Sequence, residues 1–408
     1  MKYMLILLSL VTLLAFFSRG ALADEQEDRW EAKYEHALDL LEAKQYDSAV
    51  VVGDELLSIA ANRRDKRDFT QIILTTHILT TSYYELDNYK AAAYFYQKLV
   101  SIYPRTLGNE HPLVARCQNN LAEVYRADGR YKEAEDLYKS ALRIYRKQSN
   151  SQDSAISIVL NNLGILYKTL GRYTEAESTY VEALATTESA YGPESPTFAT
   201  NLNNLAELYR TQDEFERAES LDIRALAIRI HTSSADSLDV AVSLNNLAEI
   251  YEAQGKLDKA LRYFTRALTI YRKSIKTQQP RIAETEDNLA GVYQKLSQYR
   301  KAEELYLDAL SIRVTIFGVN HIKVATTLNN LACMYLDLEE FKKAEQLYDL
   351  AIDIWENQLG PNHPQVVTVL DNLILVYLAT GREEKAMELI ERAENIRAIN
   401  ADRNQPPK

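Results

Sequence analysis

Asn119-Asn120-Leu121-Ala122 returns as Asn161-Asn162-Leu163-Gly164, Asn203-Asn204-Leu205-Ala206, Asn245-Asn246-Leu247-Ala248, Asp287-Asn288-Leu289-Ala290, Asn329-Asn330-Leu331-Ala332 and Asp371-Asn372-Leu373-Ile374. The step is 42 residues every time. A constant step over seven copies, with no net insertion or deletion, marks a stacked repeat rather than a globular enzyme core. Each copy is one helical unit, and the chain grows by adding units.

Composition agrees with that architecture. The 408 residues include only 12 Gly and 9 Pro, while helix formers abound, so long helices with short connections are expected and a sheet-rich fold is not. Each unit reads as helix, tight turn, helix, loop. In the copy at Asn119, helix A carries Val114, Leu121, Val124 and Tyr125 at helical spacing. Gly129, Gly171, Gly255 and Gly381 stand at the turn between the helices. Helix B runs from Tyr131 to about Arg146 with Ala134, Leu137, Tyr138, Ala141, Leu142 and Ile144 on one side. Ala recurs at 92, 134, 176, 218, 260, 302, 344 and 386, and again at 141, 183, 225, 267, 309 and 351. A methyl-sized side chain at those places lets the two helices of a pair approach closely. Before helix A, His111-Pro112 and His363-Pro364 place proline where the first turn has no use for an amide donor. Pro280 takes the same place in another copy, and Asp153, Ser195 and Ser237 are candidate caps.

Small-Leu-Ala-x-x-Tyr, then Gly, then an aromatic, then two alanines on helix B resembles the tetratricopeptide repeat. The 42-residue unit, with His-Pro before helix A and Tyr-x-x-Ala-Glu opening helix B (Tyr131 to Glu135, Tyr173 to Glu177, Tyr299 to Glu303), resembles the kinesin light chain form of it. That resemblance implies an all-α, right-handed superhelical solenoid of antiparallel helix pairs whose A helices line the concave surface. The expected organisation is a signal peptide over 1–23, a degenerate N-terminal helical hairpin over 24–67 acting as a cap, an array of about eight units of 34–42 residues over 68–397, and a disordered tail over 398–408.

Residues 1–23 combine Lys2, an apolar run from Leu5 to Phe17 and Ala21-Leu22-Ala23, the pattern of a secretory signal. The run is shorter than the roughly 20 residues of a spanning helix, so cleavage is favoured over an uncleaved anchor. The expected location is therefore periplasmic or secreted, with no stable membrane span after cleavage. Removing Lys2 and Arg19 takes the formal charge from −11 to −13, which argues against nucleic acid as a partner. Cys117 and Cys333 lie about five repeats apart, too far to meet in a solenoid, and are read as small buried hydrophobes.

Helical geometry sets the first Asn of each pair on the face opposite the Leu/Tyr core side, in line with residues four, seven and eleven positions later. For Asn119 those are Glu123, Arg126 and Arg130; for Asn161 they are Ile165, Lys168 and Arg172. Two roles stand open for the asparagines. They can bind the backbone of a partner peptide, since a carboxamide both donates and accepts, or they can fix the stacking of repeats. The candidate partner-binding residues are Asn119, Asn120, Asn161, Asn162, Asn203, Asn204, Asn245 and Asn246 with Arg126, Arg130, Lys168, Arg172 and Arg210. The basic members suit an acidic segment of a partner; against this, they are interleaved with Glu123 and Glu207 as ordinary exposed charges.

His111, His321 and His363 recur at equivalent loop positions, but too few ligands surround them for a metal, and capping is expected. No phosphate-binding Gly loop, zinc-helix signature or nucleophile elbow occurs. The sequence therefore reads as a non-catalytic protein-protein interaction scaffold with neither cofactor nor metal, holding a protein or peptide in the groove lined by helices A. The alternative is a structural, self-assembling subunit of an exported complex, a homo-oligomer.

Overall fold

The computed structural model describes residues 25–61, 67–86, 88–148, 153–273 and 275–403. Among the described residues the chain forms eighteen α-helices and no strand. They are α1 (Glu25–Glu42), α2 (Tyr46–Ala61), α3 (Arg67–Glu85), α4 (Tyr89–Leu107), α5 (Pro112–Ala127), α6 (Tyr131–Lys147), α7 (Asp153–Thr169), α8 (Tyr173–Tyr191) and α9 (Pro196–Thr211). The second half adds α10 (Phe215–Thr232), α11 (Leu238–Ala253), α12 (Leu257–Arg272), α13 (Ile275–Lys295), α14 (Tyr299–Phe317), α15 (Ile322–Asp337), α16 (Phe341–Leu359), α17 (Pro364–Ala379) and α18 (Glu383–Arg403). Contacts divide the chain into two compact units, Met1–Thr179 and Tyr180–Lys408. In the second unit each A helix (α9, α11, α13, α15, α17) packs on the B helix that follows it, and each but α17 touches the next A helix.

The close-approach alanines are as expected. Every Ala of both series, from Ala92 to Ala386 and from Ala141 to Ala351, is fully buried. His111, His321 and His363 cap α5, α15 and α17, each Nδ1 accepting from the backbone amide two residues on at 3.1–3.3 Å. Ser195 and Ser237 cap α9 and α11 through Oγ. The turn between helices A and B holds one residue in the left-handed region in every copy: Gly129, Gly171, Gly255 and Gly381, but Asp213, Ser297 and Glu339 in the others. The fold imposes that conformation at this position whether or not glycine is there to relieve it.

Three expectations shift. Pro280 does not start its helix; α13 begins at Ile275 and runs through it. The last helix continues to Arg403, past the expected boundary at 397, while residues 404–408 and the expected signal peptide, 1–23, lie outside the described residues. Cys117 is buried as expected, but Cys333 is only half-buried and its Sγ meets the Tyr348 hydroxyl at 3.3 Å. α1 and α2 pack on a core in which the rings of Trp30 and Tyr34 stack at 5.0 Å. No described helix is long and apolar enough to cross a membrane.

Candidate functional site

Not all of the asparagines lie on an open face. Asn119 and Asn203, first members of their pairs, are buried, against the expectation that they face away from the core. The reason is lateral: an A helix inside a stack is flanked by other A helices, so part of the surface turned from its own B helix is covered by its neighbours. Across that seam the second Asn of one copy donates to the first position of the preceding pair: Asn162 Nδ2 to Asn119 Oδ1 at 3.0 Å, Asn330 to Asp287 Oδ2 at 3.0 Å and Asn372 to Asn329 Oδ1 at 3.4 Å, each 43 residues apart. Asn120 accepts from Asn119 at 3.2 Å, Asn161 donates to the Ser157 carbonyl at 3.1 Å, and Asn203 donates to buried Asp222. Most of these amides find partners along the stack, while Asn203 Oδ1 is buried without one among the described residues. Asn204 is half-buried on the same helix as Asn203.

The ladder also explains why two copies begin with Asp. Where helix B carries an arginine 26 residues after the pair, the first position is aspartate: Asp287 meets Arg313 at 3.4 Å, and Asp371 meets Arg397 at 2.6 Å. In the copy with Arg229, position 203 stays Asn and the acid is Asp222, at the place taken by Tyr138, Tyr306 and Tyr348 in other copies. Burial pushes Asp222 up to about 7, and Arg229 opposes that rise electrostatically. Asp287 and Arg313 are thus a buried pair within one repeat, whereas Arg229 donates to the Asp239 carbonyl at 3.1 Å and to Ser243 Oγ at 2.7 Å.

The expected basic strip is closed on itself. Arg126 donates twice to Glu123, at 2.5 and 3.2 Å, and Glu123 also accepts from the Tyr138 hydroxyl at 2.9 Å and the Tyr84 hydroxyl at 3.3 Å. Burial pushes Glu123 up, but those hydrogen bonds, from Arg126 foremost, bring it below the usual carboxylate value. Arg130 and Arg172 do not share the A-helix face: they lie past the ends of α5 and α7, in the turn to helix B. There Arg130 covers the Tyr125 ring at 3.7 Å and pairs with Glu133, while Arg172 covers the Tyr167 ring at 4.3 Å and joins Glu175 to Glu135 of the preceding copy. Lys256–Glu219 and Arg382–Glu345 repeat that bridge, again 37 residues apart. Lys168 sits half-buried in the last turn of α7.

In the second unit the A-helix face opens. A cleft of about 220 Å³ lies between α9, α11 and α13, lined by Glu207, Arg210, Val242, Asn245, Asn246, Glu249, Tyr271, Arg281, Glu284 and Thr285. A second hollow continues it along α11 and α13 through Glu252, Asn288 and Lys295. Of the sequence-derived candidates, Arg210, Asn245 and Asn246 therefore come together. Glu249 stands at the centre: one oxygen accepts from Asn245 at 2.8 Å and Asn288 at 3.2 Å, and the other lies 3.6 Å from Arg210. Burial raises its carboxyl to about 7, against the pull of Arg210. Arg210 is shared, since it also holds Glu207 at 2.6 Å, and Lys295 is engaged by Glu252 at 2.8 Å. Reading for amides and basic residues missed Glu249, Arg281 and Thr285. The available signal was the register: Glu249 is the counterpart of Glu123, yet Glu252 replaces Arg126 and Phe264 replaces Tyr138.

Chemically the cleft offers carboxylates, carboxamides and two guanidinium groups, those of Arg210 and Arg281, on a helical face. Among the described residues no group of three His, Cys, Asp or Glu is placed to hold a metal ion. The profile of the tetratricopeptide repeat family matches residues 71–147, 155–230, 197–273, 281–351 and 334–398. No curated protein sequence matches the chain. Among solved structures, the apo form of the quorum sensor NprR from B. thuringiensis is similar with a TM-score of 0.62 at 17% identity, over 91% of this chain and 99% of that one. A Rap protein complexed with Competence and Sporulation Factor gives 0.58 at 15%, over 92% and 99%. A putative kinesin light chain with nearly identical repeats from Podosopora anserina gives 0.45 at 20%, over 51% and 98%.

Proposed function

The chain belongs to the tetratricopeptide repeat family, and from that premise we propose that it is a non-catalytic scaffold which holds a protein or peptide segment on the A-helix face of its second unit. The cleft around Glu249 carries this reading. It combines half-buried hydrogen-bonding groups with open access, on helices whose own packing is completed elsewhere. Asn245 and Asn246, both half-buried, can serve the backbone of an extended segment whatever its sequence, because an amide both donates and accepts. The similar Rap structure is a complex with a factor, which agrees with a binding role for this fold.

A photo-crosslinking side chain in place of Val242, inside the cleft, should give a discrete adduct in the native compartment. The same group in place of Arg262, exposed on α12, should not. Equal labelling from both positions, or none from Val242, would contradict the assignment. We further propose that residues 1–23 direct export, so that the mature chain starts at Asp24; an intact N-terminal Met1 on the protein recovered from its host would overturn that.

A further inference from the structure

The A-helix face of the second unit changes character along the stack, position by position. At the register of Glu249 the successive copies carry Glu207, Glu249, Gly291, Cys333 and Leu375; three residues on they carry Arg210, Glu252, Gln294, Leu336 and Leu378. The face thus runs from charged, through small and neutral, to apolar. Leu375 and Leu378 on α17 are 53% and 50% exposed, so neither is held in the core of its own repeat. Exposed leucines at equivalent, adjacent positions form an apolar end to a face whose other end is a polar cleft.

The charged end carries one more carboxylate than it has cations: Glu207, Glu249, Glu252 and Glu284 stand against Arg210, Arg281 and Lys295. Glu123 shows what the same register needs to complete a buried carboxylate within the chain: an arginine three residues on and a tyrosine hydroxyl from helix B. At Glu249 both are gone, replaced by Glu252 and Phe264, and Phe264 is fully buried with no polar atom to offer. Arg210 is shared between Glu207 at 2.6 Å and Glu249 at 3.6 Å, and Lys295 is spent on Glu252. Glu284 lines the same cleft. A donor arriving from outside would complete the coordination that Arg126 and Tyr138 complete in the first unit.

We infer that the partner is an extended peptide segment bearing a lysine or arginine that enters the cleft beside Glu249 and Glu284, and apolar side chains that cover Leu375 and Leu378. This rests on the reading of the A-helix face as the binding surface. Neighbouring A helices pack about 10 Å apart, so two steps from α13 to α17 span roughly 20 Å. That distance takes roughly six extended residues. Cation and apolar anchor are therefore expected about six positions apart, in one fixed direction. A basic residue is chosen over an acidic one by charge complementarity, since Glu207, Glu249, Glu252 and Glu284 outnumber Arg210, Arg281 and Lys295 in the two hollows.

Random 12-residue peptides displayed on phage and panned against the full chain test this. The enriched sequences should share one Lys or Arg and, about six residues away, a Leu, Ile, Phe or Met. A synthetic peptide of the enriched sequence should lose about tenfold in affinity for Leu378→Lys, and about tenfold for the double variant Glu252→Arg with Phe264→Tyr, since each removes roughly one strong contact. Leu378 is half exposed, so its variant keeps the fold and guards against a folding artefact in the other. Enrichment of acidic or uncharged sequences, still lost in those variants, would overturn the assigned chemistry while leaving the binding face standing. Enrichment that neither variant affects, or no enrichment, would overturn both.

Discussion

Glu123 and Glu249 occupy the same place in two copies of one repeat, yet their surroundings drive them in opposite directions. In the first unit Arg126, Tyr138 and Tyr84 enclose Glu123 and pull its carboxyl down. In the second, Glu252, Phe264 and Arg210 stand at those three positions, and burial takes Glu249 up to about 7. The backbone is the same, so the difference lies entirely in side chains that packing leaves free to vary. A repeat protein can close the face of one copy on itself and leave another open by three substitutions outside the motif that makes the fold.

The comparison can be strained at its buried charges first. Arg313→Ala removes the cation beside Asp287, where both side chains are under a tenth exposed, and should destabilise the second unit by about 3–5 kcal/mol in urea unfolding. The equivalent Arg397→Ala removes a half-exposed partner of Asp371 and should cost under about 1 kcal/mol; equal losses would deny that burial distinguishes the pairs. Next, Arg126→Ala leaves Glu123 without its charged donor and should cost about 2 kcal/mol, whereas Glu249→Gln, which removes a carboxylate that burial disfavours, should not lower stability at pH 7. A smaller effect is expected for Asn162→Ala, about 1 kcal/mol from one amide rung left unmade, with melting temperature as the readout.

The pH dependence separates the two carboxyls. The folded Glu249 carboxyl titrates above its unfolded value of 4.5, so the stability it contributes is whole below pH 4.5 and is lost as pH rises through about 7. Glu123, held below 4.5, contributes stability above that value and loses it as pH falls through its folded pKa. Between pH 5 and 8 the unfolding free energy of Glu249→Gln should therefore fall less than that of the wild type. Glu123→Gln should show no such relief in that window, its difference appearing below pH 4.5. An identical slope for Glu249→Gln and the wild type would remove the basis of the contrast.

Much of the fold was legible because it repeats. The 42-residue step, the two alanine series and the His and Ser caps each follow from one helix pair considered alone. What one helix pair cannot show is its flank: periodicity placed Asn119 and Asn203 away from the core, but adjacent A helices cover them. The Asp–Arg matches, 26 residues apart, are visible only when copies are laid over one another and the exceptions are asked for. The cleft was written in the same exceptions, Glu252 for Arg126 and Phe264 for Tyr138, while the more conspicuous arginines, Arg126, Arg130 and Arg172, proved to be bound to carboxylates of the chain itself. Conspicuous charge marked satisfied sites; the open site lay where partners were missing.

The contrast between the closed and the open face rests on two carboxyls, and both can be followed at once. Titration of the full chain carrying ¹³C at the glutamate carboxyl carbon, with Glu123→Gln and Glu249→Gln to assign the signals, reads each directly. The account predicts a signal for Glu249 that titrates near 7 and one for Glu123 that titrates below 4.5. Two signals titrating together, both below 4.5, would show that Glu249 is as fully partnered as Glu123, and the second unit would have no open face to offer a partner.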